Sequence, residues 1–186
     1  DIKICGLNLR NPIQGMGSQS IHIDGFPRNA PNDPYAGIVV FIFLDDCKIE
    51  NGAMRIISGT HKKLGWPDDH IDINKKFSKE ERIVCRAGTI VIANLNIWHA
   101  GAKNLNGDLR RVIMLNIKNR KYDQLLNYKK YLSNEFKEKL SPEEKYLLAV
   151  RKVDKDQILE SGGSANQLRR EYFEKKKKKF FSVAKN

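Results

Sequence analysis

Residues 37–44 read GIVVFIFL, an uncharged run of β-branched, aliphatic and aromatic residues closed by Asp45-Asp46. Eight such residues are too few for a core helix and suit a strand buried on both faces. Four further segments carry the same character: residues 18–24 (SQSIHID, alternating), 53–58 (AMRIIS, after an Asn51-Gly52 turn), 88–93 (GTIVIA, another buried strand) and 110–118 (RRVIMLNIK). The chain is already strand-like at its first residues, and turn-rich connections such as residues 26–34 (FPRNAPNDP) separate the strands. Many short strands with Pro- and Gly-rich turns predict a mainly β sandwich or barrel. At 186 residues the chain can bury a sizeable core without disulfides or a structural metal. It has no apolar run long enough to span a membrane.

The pattern changes after residue 120. Leu125, Tyr128, Leu132 and Phe136 recur at helical spacing, and Ser141-Pro142-Glu143-Glu144 reads as an N-cap, a Pro at N1 and the reciprocal Glu of a capping box, so a helix through Val150 is expected. Gly162-Gly163 interrupts the chain, and residues 164–167 offer a second capping box into a final basic helix. The Leu and aromatic positions of this region need a partner, so part of it should pack on the β core. The boundaries expected are a β core over residues 1–120 and a basic helical extension over 121–186.

The formal charge of +12 points first to nucleic acid or another acidic partner. Its distribution weakens that reading. Residues 1–120 hold 17 of the 34 basic and 12 of the 22 acidic residues, which leaves 17 and 10 in the shorter C-terminal part. The run Lys175 to Lys179 supplies much of that excess and reads as a solvated, highly charged helix end. Three cysteines, Cys5, Cys47 and Cys85, show no Cys-x-x-Cys spacing. They are expected to be buried thiols in a reducing, cytoplasmic setting.

The chemistry concentrates at His22 and Asp24. In a strand, residues i and i+2 share a face, so both side chains project into one cavity while Ile21 and Ile23 face the other way. An imidazole and a carboxylate so placed are two-thirds of a 2-His-1-carboxylate metal triad, which leaves coordination positions open. The third ligand has to come from a distant strand. His99, at the end of a strand segment, is well placed, whereas His61 sits in a turn and His70 in an acidic loop. Arg110 and Arg111 open the next strand, and alternation sends one inward and one outward. An inward arginine is a natural partner for the far carboxylate of a dicarboxylate co-substrate.

These residues resemble the phytanoyl-CoA dioxygenase family of Fe(II)/2-oxoglutarate oxygenases. The resemblance rests on Arg10-Asn11-Pro12-Ile13-Gln14-Gly15 with Gln19-Ser20-Ile21-His22-Ile23-Asp24-Gly25, and on Leu44-Asp45-Asp46 with Glu50-Asn51-Gly52-Ala53-Met54. It rests equally on the turn Ser58-Gly59-Thr60-His61-Lys62, and on Ala87-Gly88-Thr89 with His99, Ala100, Gly101, Asn104 and Arg110. It implies a double-stranded β-helix (jelly-roll, cupin-like) core followed by the helical segment. It implies His22, Asp24 and His99 as Fe(II) ligands and Arg110 as the partner of the 2-oxoglutarate C5 carboxylate, with His61 not a ligand. Gln19 is a candidate pocket residue. Some members carry a Ser contacting 2-oxoglutarate two residues after the distal His, where this chain has Gly101. Members also have a longer portion before the His-x-Asp strand. Only 21 residues precede His22, so a core lacking that portion is expected.

The implied reaction consumes O2 and 2-oxoglutarate, releases succinate and CO2, and hydroxylates a C–H bond of a small-molecule or carrier-linked substrate. Related halogenases replace the triad carboxylate by Ala or Gly, so Asp24 favours hydroxylation. Residues 26–35 and 66–72 are candidate lids. Two alternatives compete: a nucleic-acid-acting oxygenase or binder using the basic tail, and a non-catalytic metal-binding jelly roll. The first is disfavoured because the position six after Arg110 is Asn116 rather than a second arginine. The second is disfavoured because all four site residues are present.

Overall fold

The computed structural model describes residues 1–122, 124 and 127–150. Among the described residues seven strands form: β1 (Ile2–Arg10), β2 (Gly37–Phe43), β3 (Arg55–Ile57), β4 (Glu81–Arg82), β5 (Ile90–Asn94), β6 (Trp98–Ala100) and β7 (Val112–Asn119). They build two antiparallel sheets, ordered β1-β7-β2-β5 and β4-β3-β6. The fold is the mainly β jelly roll expected from the sequence.

The larger sheet turns one face inward. The register Val39↔Asn116, Phe41↔Met114, Phe43↔Val112 aligns alternate residues of β2 and β7 on that face. Val39, Phe41, Phe43 and Val112 pack there with Cys47, Ala53, Met54 and Leu95 as the main core. Burying eight such side chains is the main stabilisation of the sandwich. The expectation that residues 37–44 and 88–93 are buried on both faces is overturned. Ile38, Ile90 and Ile92 are exposed on the outer face, because among the described residues no layer covers that side of β2 and β5.

A second core lies behind the smaller sheet. Ile21 and Ile23 pack with Ile57, Trp98 and Ala100, and Trp66, Ile71, Ile73 and Phe77 lie over them. Residues 66–77 are therefore the cover of this sheet. Their first turn is a short 3₁₀ helix, Pro67–Asp69, closed by the Asp69 carboxylate accepting the Trp66 N–H at 2.6 Å.

Residues 18–24 do not form the expected strand; they run extended with one isolated bridge, His22↔His99. The reason is divided pairing. The Gln19 N–H bonds the Gly101 carbonyl, whereas the Ile21 N–H bonds the Ile73 carbonyl on the other side, so no continuous ladder develops. His99 likewise does not end the strand that begins near residue 88. The chain turns after β5 and enters the other sheet as β6.

Among the described residues three short helices follow: α1 (Tyr128–Tyr131), α2 (Asn134–Lys139) and α3 (Pro142–Leu147). The helical period over 128–136 is interrupted where the Ser133 side chain accepts the Phe136 N–H and starts a new helix. The capping box at Ser141 and Glu144 forms as expected, but α3 ends at Leu147 rather than Val150. This segment docks on β1: Tyr128 is buried, Gln124 Nε2 donates to the Ile4 carbonyl, and Arg120 lies over the Tyr146 ring. Leu125, the second capping box, the lysine run and the final basic helix lie outside the described residues. Among the described residues no helix is long and apolar enough to cross a membrane.

The turn after β2 is fixed by Asn51, which is 2% exposed. Its Oδ1 accepts the Lys48 N–H at 2.8 Å, and its Nδ2 donates to the carbonyls of Asp46 and Leu109. Gly52 follows at φ +95°, and a Cβ there would lie 2.6 Å from the Ala102 carbonyl oxygen. Asn51→Ala strands these buried backbone groups and is expected to cost about 2–4 kcal/mol with an unchanged m-value, measured by urea unfolding.

Candidate metal centre

His22 and His99 form a reciprocal pair: each N–H donates to the other's carbonyl at 3.0 Å. Residues opposed in this way point their side chains to the same face, and the ring centroids lie 4.4 Å apart. Asp24, two residues on, is held by its N–H on the Leu95 carbonyl at 2.9 Å and presents its carboxylate to the same space. Its Oδ1 is 3.9 Å from His22 Nε2 and its Oδ2 is 3.6 Å from His99 Nε2. The ligand atoms of all three lie within 4.8 Å of one another, and all three residues are buried.

The ring nitrogens are differentiated. His22 Nδ1 lies 2.8 Å from the Ser20 carbonyl, and His99 Nδ1 lies 3.0 Å from the Ile97 carbonyl. A carbonyl accepts only, so each Nδ1 carries the proton and each Nε2 keeps its lone pair for the cluster. This is the tautomer a metal-ligating imidazole requires. His99 Nε2 is buried without a hydrogen-bond partner. Two imidazole nitrogens and a carboxylate converging in this way fit a divalent transition metal with open positions.

The triad opens into a cavity of about 600 Å³ between the sheets. Arg110 lines it, 7% exposed, with Nε buried and without a hydrogen-bond partner. Burial lowers the Arg110 pKa, but guanidinium begins so high that it remains charged at neutral pH. Arg111 points the other way, as strand alternation requires, and is exposed. Its Nε and Nη2 grip the Asp45 carboxylate at 2.9 and 2.7 Å. These hydrogen bonds hold the Asp45 pKa down at about 2.

Gln19 also lines the cavity, and its Oε1 accepts the Gly101 N–H at 2.9 Å. Position 101 has no room for a side chain. A Cβ there would lie 2.6 Å from the Gly17 carbonyl oxygen and 2.8 Å from Gln19 Oε1. Gln19 thus fills the space beside residue 101. The other histidines lie elsewhere: His61 packs against the Tyr35 ring, and His70 bonds the Leu64 carbonyl at the surface. Neither candidate lid lines the cavity. Residues 26–35 are pinned by Arg28, which donates to the carbonyls of Pro31 and Asp33 and to the Tyr35 hydroxyl.

Asn8, Arg10, Met114 and Asn116 are among the cavity residues not singled out as site candidates from the sequence. The signal for two of them was available. Counting in twos from Arg110 reaches Val112, Met114 and Asn116, all on the inner face. Asn116 is buried with its Oδ1 unpartnered.

The phytanoyl-CoA dioxygenase (PhyH) family model matches residues 6–112. The chain belongs to this family. It is 32% identical over 105 residues to dioxygenase af480 of Aspergillus fumigatus, a match covering 54% of this chain and 32% of that protein. Among solved structures it is similar to HygX from Streptomyces hygroscopicus, crystallised with nickel and 2-oxoglutarate (TM-score 0.55, 11% identity, 67% of this chain and 61% of that one). It is also similar to the non-heme monooxygenase ThoJ (TM-score 0.52, 21% identity, 68% and 50%). A third is the epimerase SnoN in complex with Fe3+, alpha-ketoglutarate and nogalamycin RO (TM-score 0.52, 15% identity, 63% and 50%). The chain thus spans about a third of the curated relative and between half and two-thirds of these structures.

Two outcomes follow from this geometry. The protein should bind one equivalent of Co(II) or Ni(II) by calorimetry, and Asp24→Ala should weaken that binding by about 100-fold or more. The Asp45 carboxyl has a depressed folded pKa, so its stabilisation is present above the unfolded value near 3.9 and is lost as pH falls through about 2. Melting temperatures measured from pH 5 to 2 should therefore fall less steeply for Asp45→Asn than for the parent protein.

Proposed function

We propose that the chain is the jelly-roll core of an Fe(II)- and 2-oxoglutarate-dependent oxygenase that hydroxylates a C–H bond of a small-molecule or carrier-linked substrate. The convergence of His22, Asp24 and His99, with both Nε2 lone pairs turned inward, is the observation that carries this reading. These three residues hold the iron. Arg110 receives the C5 carboxylate of 2-oxoglutarate, and Gln19 lines the co-substrate site. When bound, the iron supplies the O2 chemistry that couples oxidative decarboxylation of 2-oxoglutarate, to succinate and CO2, with oxidation of the substrate.

The remaining work belongs to the protein. The carbonyls of Ser20 and Ile97 lock the imidazole orientations, so no reorganisation is needed when the metal enters. The guanidinium of Arg110 fixes the far end of the co-substrate and so aims its keto acid end at the triad. Phe41, Phe43, Met54, Val112 and Met114 line the cavity and limit water around the reacting groups. Asp24 fills the carboxylate position, which favours transfer of oxygen over halide.

Residues 1–120 form the catalytic core in this reading, and residues 121–186 form an extension whose described part braces β1. The substrate belongs to the small-molecule class. SnoN is an epimerase and ThoJ a monooxygenase on this fold, so turnover is best read first at the co-substrate.

With Fe(II), ascorbate and air, the protein should convert 2-oxoglutarate to succinate even without substrate, at a slow uncoupled rate followed by NMR. Arg110→Ala should raise the 2-oxoglutarate KM by about tenfold to 100-fold with a smaller change in kcat. Full succinate formation by Asp24→Ala would contradict the ligand assignment.

A further inference from the structure

Cys47 and Cys85 are opposed across an isolated antiparallel bridge. The Cys47 N–H donates to the Cys85 carbonyl at 2.8 Å, and the Cys85 N–H donates to the Cys47 carbonyl at 3.0 Å. Such a hydrogen-bonded pair sets the Cα atoms about 5.5 Å apart with both side chains on one face. That separation falls within the range that a disulfide spans. Both thiols are free. Cys47 is fully buried in the main core, whereas Cys85 at its edge is partly accessible.

The pair also sits behind the co-substrate end of the cavity. Cys47 packs with Phe43, Met54 and Val112, which line the cavity alongside Arg110, and the guanidinium pulls the Cys47 pKa down against the larger effect of burial. It occupies the turn that Asn51 ties to the Leu109 carbonyl, next to Arg110 in the chain. The Leu44 N–H on the Arg111 carbonyl, at 2.9 Å, secures the same segment from the other side.

We propose that Cys47 and Cys85 form a redox modification site, a thiol pair that hydrogen peroxide closes to a disulfide and that thereby loosens the hold of Arg110 on the co-substrate. The chemistry proceeds in two balanced steps. The Cys85 thiolate attacks one peroxide oxygen, the O–O bond breaks, and the departing hydroxide takes up a proton, leaving a sulfenic acid and water. The Cys47 sulfur then attacks the Cys85 sulfur, and the S–O bond breaks. The Cys47 proton goes to the departing hydroxide, so two thiols and one peroxide become a disulfide and two waters. Closure brings the sulfurs to about 2.05 Å and so pulls on the turn that Asn51 ties to the Leu109 carbonyl, next to Arg110 in the chain.

The environment makes this a slow, conditional site. Burial pushes the Cys47 thiol up to about 11, and Arg110 offsets that only in part. Burial also raises Cys85, against hydrogen bonds with Thr89 and Cys47. Both are protonated at neutral pH, so the rate of closure should climb as pH rises from 7 toward 10. The pair stays reduced except under sustained peroxide.

The effect on Arg110 rests on the co-substrate reading above, so the test separates the two. The full chain is treated with hydrogen peroxide at pH 8 in EDTA, then analysed by intact mass and peptide mapping. The expected product has lost two hydrogens, contains a Cys47–Cys85 cross-link reversible by dithiothreitol, and retains an alkylatable Cys5. Cys85→Ser should abolish the cross-link, and Cys5→Ser should leave it intact. N-oxalylglycine binding to the Ni(II)-loaded protein should weaken by about tenfold on oxidation and recover on reduction. A sulfinic acid on Cys85 alone, or a disulfide to Cys5, would overturn the thiol pair. A Cys47–Cys85 disulfide with unchanged N-oxalylglycine affinity would overturn the coupling. If the reduced protein fails to bind N-oxalylglycine, the co-substrate reading falls, and the mass measurement alone decides the thiol pair.

Discussion

The site depends on one backbone interaction, the reciprocal hydrogen-bonded pair between His22 and His99. Residues separated by 77 positions are brought face to face by two N–H···O bonds, and every later feature follows from that contact. It sets the two imidazoles on the same face. It places Asp24 beside them through the two-residue repeat of an extended chain. It also puts Ile21, Ile23, Trp98 and Ala100 on the opposite face, where they bury into a separate core. The polar side of the pair is therefore anchored by the apolar side. A slip of one residue would drive isoleucines into the cavity and histidines into the second core.

The fold around this pair explains why the cavity is shaped as it is. The larger sheet brings Arg110, Val112, Met114 and Asn116 along one line on its inner face, so a charged anchor, an apolar wall and an amide follow one another across the pocket. Gly101 and Gln19 divide the space beside His99 between them: the backbone at 101 approaches Gly17 too closely for a side chain, and the Gln19 amide occupies the vacated volume.

Much of the site was legible in the sequence because strand alternation is a strong rule. It placed His22 with Asp24, set Ile21 and Ile23 against them, and separated Arg110 from Arg111 before any fold was known. The family resemblance supplied the distal partner, which alternation alone could not choose among the histidines. The weaker readings have physical causes. The 18–24 segment looked like a strand, yet its N–H groups are shared between residues 101 and 73, which lie on different sides and cannot be read from composition. The runs at 37–44 and 88–93 looked buried on both faces, because an apolar run carries no mark of which neighbours cover it. The 66–72 segment looked like a lid for its polarity, but Trp66 and Ile71 make it the cover of the second core. Arg10 and Asn8 were invisible as cavity residues, since only the β1–β7 register brings them there.

Anomalous diffraction at the iron edge, from crystals grown anaerobically with Fe(II) and 2-oxoglutarate, decides whether His22, Asp24 and His99 hold the metal. One strong peak is expected, bounded by His22 Nε2, His99 Nε2 and an Asp24 carboxylate oxygen, with the co-substrate extending from it to Arg110. A peak elsewhere, or no peak between these three side chains at full iron loading, would contradict that assignment.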